Sequence, residues 1–221
     1  MKETEKPKNA IETMAGRLQV SREVLQTTLK STAFAECKTN EQFIACVLVS
    51  NAYRLNPFLK EIYAFPSKGG IIPIVSIDGW IRIAKDHPDY DGVELIENKG
   101  EKGKVESVTV KFYLKGISHP VVITEYMTEC ARDTEPWKKW PIRMLRHKAY
   151  IQGARVAFGF SGIYDEDEAA RIVEAQETTI TPDIAGPITM PLPKKKEPAP
   201  VEETVVVPEP EEVREPGSDD V

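Results

Sequence analysis

Polar and apolar positions follow two periods along this chain, and the switches between them predict its elements. Residues 1–9 are polar and predicted to be loose. Ile11, Met14 and Leu18 then recur at helical spacing. Ser21 is suited to cap a second helix, REVLQTTLKS, with Glu23 in the first turn, where a carboxylate favours the helix dipole. Thr39 or Asn40 can cap a third through EQFIACVLVSNAY, whose Phe43, Ile44, Val47 and Leu48 share a face, and LNP at 55–57 stops it. In EIYAFPSKGGIIPIVSI two β-rich runs flank PSKGG, a hairpin signal. Pro73 confines its strand to an edge or a bulge.

Asp78 can cap a short helix, GWIRIAKD. GVELIE, ESVTVKFYL and VVITEYM, separated by NKGEKGK and KGISHP, predict a three-stranded meander. Pro141 opens a long helix at a position that tolerates proline, GFSG ends it, and DEDEAARIVEAQE predicts one more. The expected fold class is α+β: a compact core of helices flanking a small antiparallel sheet (hairpin plus meander), with a disordered C-terminal tail.

The long helix is the ambiguous element. On a helical wheel Arg143, Arg146, His147 and Tyr150 fall on one side, and Lys148, Gln152 and Arg155 roughly opposite. Between them Leu145, Ala149, Gly153 and Val156 make a narrow apolar strip with a small-residue notch. Two polar stripes cannot both face core, because an unpaired buried guanidinium is costly. The charges need water, a carboxylate or a phosphate. Pairing with Asp165–Glu168 and a phosphate-facing stripe are both open on this pattern.

Composition changes the picture mainly at the end of the chain. The net charge is −6 over 221 residues, but residues 178–221 hold 10 Asp/Glu against 4 Lys/Arg and so carry all of the excess. They also hold 9 of the 17 prolines and no aromatic residue, too little apolar surface to offset chain entropy. The expected division is a core over 1–177, with the helices of 1–31 serving oligomerisation, and a disordered Pro/Glu-rich acidic tail over 178–221. Three cysteines at unrelated spacings exclude a disulfide framework or a zinc motif and suit a reducing cytoplasm. No run is long and apolar enough to span a membrane, so no membrane partner is expected.

Candidate chemistry is sparse. No GxxxxGK[ST], GxGxxG or GxSxG occurs, so neither nucleotide binding nor an activated serine is indicated. Lys60 and Lys68 of the hairpin, with Trp80 and Arg82 after it, combine cations with an aromatic in the manner of single-strand binders; taken singly, a tryptophan such as Trp80 is more often a core residue. Trp137, Lys138, Lys139 and Trp140 form a second basic–aromatic cluster, or a loop pinned by its tryptophans. Asp165, Asp167 and Glu168 offer either a Mg²⁺ site for a nuclease or a helix N-terminus.

NPFLKEIYAFP, a Gly turn with IVSIDGWIRI, and WPIRMLRHKAYIQGARVAFGFSGIYDEDEAARIVE are long and collinear stretches. Over Phe34–Glu174 they resemble the phage Bet family of single-strand annealing proteins, within the wider RecT group. The resemblance implies an ATP-independent, non-enzymatic recombinase, with no required cofactor and Mg²⁺ as an aid to annealing. It implies that single-stranded DNA and the annealed duplex intermediate lie in a basic groove, and that subunits assemble as a ring or helical filament. By position, the implied DNA contacts are Lys60, Lys68, Arg82, Arg143, Arg146, Lys148, Gln152 and Arg155, with Trp80, Lys138, Lys139 and His147 as further candidates. On that assignment Lys148→Ala and Arg155→Ala weaken DNA binding and leave the fold intact. Ile142 departs from the family pattern, which has a basic residue there, and the segment before Trp137 is shorter; Lys138 and Lys139 are candidates to supply the missing charge. A partner exonuclease and a host single-strand binding protein are implied through a C-terminal region that here is the acidic tail. The rival readings are a metal-dependent nuclease and a coating protein that does not anneal.

Overall fold

The computed structural model describes residues 9–68 and 70–178, with side chains to 175. The expectations for residues 1–8 and for the acidic tail fall outside the described residues. Within them the order is α1 (Ala10–Leu18), α2 (Arg22–Ser31), α3 (Asn40–Ala52), a 3₁₀ turn (Pro57–Leu59), β1 (Ile62–Ser67), β2 (Gly70–Val75), α4 (Ile77–Lys85), β3 (Tyr90–Lys99), β4 (Val105–Leu114), β5 (Val121–Tyr126), α5 (Met127–Cys130), α6 (Glu135–Lys139), α7 (Pro141–Phe158) and α8 (Glu166–Thr178). The α+β class with a hairpin and a meander is what the alternation predicts.

The helix starts follow local chemistry. Asn9 accepts from the Glu12 amide at 2.9 Å, and Glu12 reaches back to the Asn9 amide at 3.2 Å, a capping box at α1. Ser21 caps α2 and Thr39 caps α3. At α4 the cap is Ser76, whose hydroxyl accepts from the Gly79 amide at 3.3 Å; Asp78 lies inside the first turn, not at its boundary. Ser76 wins because the chain leaves β2 extended, with the φ and ψ an N-cap requires.

β1 and β2 pair antiparallel from Ile62↔Val75 to Ser67↔Gly70, so each is an edge strand and Pro73 is tolerated. β3, β4 and β5 form a separate antiparallel sheet in sequence order. Val108, Val110 and Phe112 of its central strand are buried, facing α7. The notch expected in α7 is real. A Cβ on Gly153 would lie 2.5 Å from Cγ1 of Val110 and 2.9 Å from Cε2 of Phe112, so only glycine lets the helix sit this close to the sheet. Leu145, Ala149 and Ala154 are fully buried beside it, whereas Val156, expected in the strip, is 58% exposed. Tyr150, expected on a polar side, is buried against Phe112 with ring centroids 5.1 Å apart. Besides the sheet, α4 and α6 pack against α7, and the first turn of α8 reaches it through Glu168.

Most of the apolar residues of α1 and α2 pack within the chain, whereas Val24 is left 54% exposed. Ile11, Met14, Leu25 and Leu29 are buried in the same core as Phe34 and Phe43.

Candidate nucleic-acid interface

Two adjoining clefts share Tyr63 and Ser76 as a common wall. One, of about 360 Å³, lies among β1, α6, α7 and α8, lined by Phe65, Met144, His147, Ile151 and Glu166 among others. The second is lined by the end of α2, the 3₁₀ turn with Phe58, Leu59 and Lys60, and Asp78 of α4. Burial first, and Glu166 second, push the Tyr63 phenol up to about 12, so it stays a neutral hydrogen-bonding group on that wall. Burial, then Arg143, hold the His147 imidazole below its ordinary pKa, with Asp78 opposing and Arg146 reinforcing.

The expected DNA contacts divide sharply by what already holds them. Lys148 is buried, and its ammonium donates to both carboxylate oxygens of buried Asp165, at 2.9 and 2.6 Å. Gln152 donates to Glu168 at 2.7 Å. Arg155 pairs with Glu168, also at 2.7 Å, and its guanidinium lies 5.3 Å from the ring centre of buried Trp80. This polar stripe of α7 is thus a seam to α8, with no free cation for a phosphate. The physical reason is proximity: the helix reverses through Gly159, and α8 brings its acidic first turn back along the same face.

Arg82 is likewise committed. It pairs with Glu61 at 2.9 Å and Asp86 at 2.7 Å, and donates to the Arg54 carbonyl at 3.0 Å, holding the left-handed turn at Arg54. Trp80 is fully buried, which rules out a stacking contact from this conformation. Arg146 pairs with Glu97 of β3, and Lys138 with Asp133 at 2.6 Å. Both of those pairs are exposed, and exposed pairs hold weakly, so these cations remain exchangeable.

Lys60, Lys68, Lys139 and Arg143 pair with no carboxylate among the described residues and are exposed. Lys60 lines the second cleft at its left-handed turn. Lys68 sits at the tip of the β1–β2 hairpin, apart from either cleft. Lys139 and Arg143 flank Trp140, with Nζ 4.7 Å and Cζ 5.1 Å from its ring centre. Such contacts at exposed sites contribute about 0.5–1 kcal/mol each. Trp140 is absent from the contacts the resemblance implies. The sequence singles it out only within the basic–aromatic cluster; the spacing adds that Arg143 has Trp140 at i−3 and only Lys139 and His147 at i±4, so no helical carboxylate competes for it.

The acidic run has a structural role. Asp165 and Glu168 cap α8 reciprocally through each other's amides at 3.0 and 3.2 Å. Asp167 accepts from the indole N–H of buried Trp137 at 2.9 Å. Among the described residues no group of three His, Cys, Asp or Glu side chains could hold a metal ion. Lysine, arginine and tryptophan already occupy the carboxylates of Asp165, Glu168 and Asp167 on which the nuclease alternative would draw. No helix among the described residues is long and apolar enough to cross a membrane.

The sequence matches the RecT family over residues 19–182. It is 46% identical over 183 residues to "Recombination protein bet" of Escherichia phage lambda, covering 75% of this chain and 68% of that protein.

Proposed function

Because this chain belongs to the RecT family, we propose that it binds single-stranded DNA along the rim of the paired clefts and anneals it to a complementary strand in recombination, without ATP. Family membership is the observation that carries the reading. Annealing makes and breaks no covalent bond. What it requires is neutralised phosphates and bases left free to pair, since strand–strand repulsion opposes duplex formation. Support comes from uncommitted cations: Lys60, which lines the second cleft, Lys139 at the end of α6 and Arg143 in the first turn of α7. The weakly paired Arg146 and Lys138 can add to them. Lys148, Gln152 and Arg155 act one step back, fixing α7 to α8 and so setting the shape of the wall. A single chain offers only a short track, so assembly on DNA into a ring or helical filament belongs to the proposal.

The test mixes complementary labelled oligonucleotides with the protein and Mg²⁺, without ATP. Faster duplex formation supports annealing. Slowed pairing indicates a coating protein, and shortened strands a nuclease; either outcome overturns the reading. Lys139→Ala and Arg143→Ala each flatten the dependence of log affinity on log salt by about 0.7 for each phosphate no longer neutralised. Light scattering with and without DNA checks assembly.

A further inference from the structure

The three tryptophans differ in what they can do. Trp80 is 0% and Trp137 3% exposed, but Trp140 is 43% exposed. It stands at the entry to α7, makes no capping bond through its side chain, and its indole has no hydrogen-bond partner among the described residues. Its backbone carbonyl accepts from the amide of Met144, which lines the smaller cleft. A large apolar ring left in water, between two cations with no carboxylate, has no evident role in the packing of this chain. Each of its parts matches one part of a nucleotide: the ring offers a face for a base, and the cations suit the flanking phosphates.

We propose that Trp140 is a stacking platform for one nucleobase of single-stranded DNA, with Lys139 and Arg143 gripping the adjacent phosphates. The proposal rests on the DNA-binding reading above and specifies where a base is held. Stacking tolerates every base, because each has a π-face, so the platform orders a strand without reading its sequence.

The experiment uses the full chain with oligothymidylate and an abasic strand of equal length, read by anisotropy, and follows tryptophan emission separately. The expected result is that the ordinary strand quenches emission of the parent and not of Trp140→Phe, whose remaining tryptophans are buried. Trp140→Ala binds the ordinary strand about tenfold more weakly, the order expected when one stack is removed. It binds the abasic strand as the parent does, and Trp140→Phe restores most of the affinity. Equal weakening on both strands, or none on either, overturns the platform while leaving DNA binding intact. A parent that binds neither strand overturns the DNA-binding reading itself. Disappearance of assemblies by light scattering, with the preference for bases unchanged, makes Trp140 a subunit contact and overturns the platform too.

Discussion

Replacing Lys148 tests whether α7 uses its second polar stripe for the fold or for a ligand. Lys148 and Asp165 are 6% and 7% exposed, and the ammonium touches both carboxylate oxygens. Lys148→Met keeps the length of the side chain but leaves a carboxylate buried without its cation. Breaking one side of such a pair costs about 3–5 kcal/mol. For a chain of this size each kcal/mol moves Tm by roughly 2–4 °C, so the single variant is expected to melt roughly 6–20 °C lower. The double variant Lys148→Met/Asp165→Asn removes both charges, and asparagine caps a helix about as well as aspartate, so α8 keeps its start. It is expected to regain most of the stability, since a matched uncharged pair is often as stable as the ion pair. Thermal melts by circular dichroism measure the stability, and anisotropy with a labelled oligonucleotide, below every melting range, measures binding. The reasoning is refuted if Lys148→Met melts with the parent but loses DNA affinity. That result would place the ammonium on a phosphate and restore the contact expected from sequence.

Gly153→Ala forces a methyl group into Val110 and Phe112, 2.5 and 2.9 Å away; despite alanine's better helix propensity, a net destabilisation of about 1–2 kcal/mol is expected in urea titrations. His147, whose folded pKa is lowered by burial and by Arg143, favours the neutral form. Its contribution to stability is therefore complete above the ordinary value of about 6.5 and declines as pH falls from there toward the folded value. Urea midpoints between about pH 7.5 and pH 5 are expected to fall less in His147→Gln than in the parent. Burial, with Glu125 adding, pushes the Cys130 thiol up to about 12, so iodoacetamide at about pH 8 leaves it unmodified in the native protein and alkylates it in urea, as read by mass spectrometry.

Local chemistry made most of the fold legible. Period-two runs marked the hairpin and meander, and Ser21, Thr39 and Pro141 marked helix starts, because capping and pleating depend on residues within a few positions of one another. The resemblance over Phe34–Glu174 pointed to the RecT group without any tertiary structure. The division of the cations was not legible. A helical wheel puts Arg143 and Arg146 on one stripe and Lys148 and Arg155 on the other, and for both stripes the sequence left water, carboxylate and phosphate open as partners. Partner choice is a tertiary property: Lys148 meets Asp165 across 17 residues, Arg146 meets Glu97 across 49, and Arg82 meets Glu61 across 21. The turn into α8 brings Asp165, β3 brings Glu97, and the pairing of β1 with β2 brings Glu61 within reach. The same contacts spend the expected phosphate stripe on the fold and leave Lys139, Trp140 and Arg143 facing solvent. The sequence by itself determined the elements and the family; the tertiary structure decided which charges were still free.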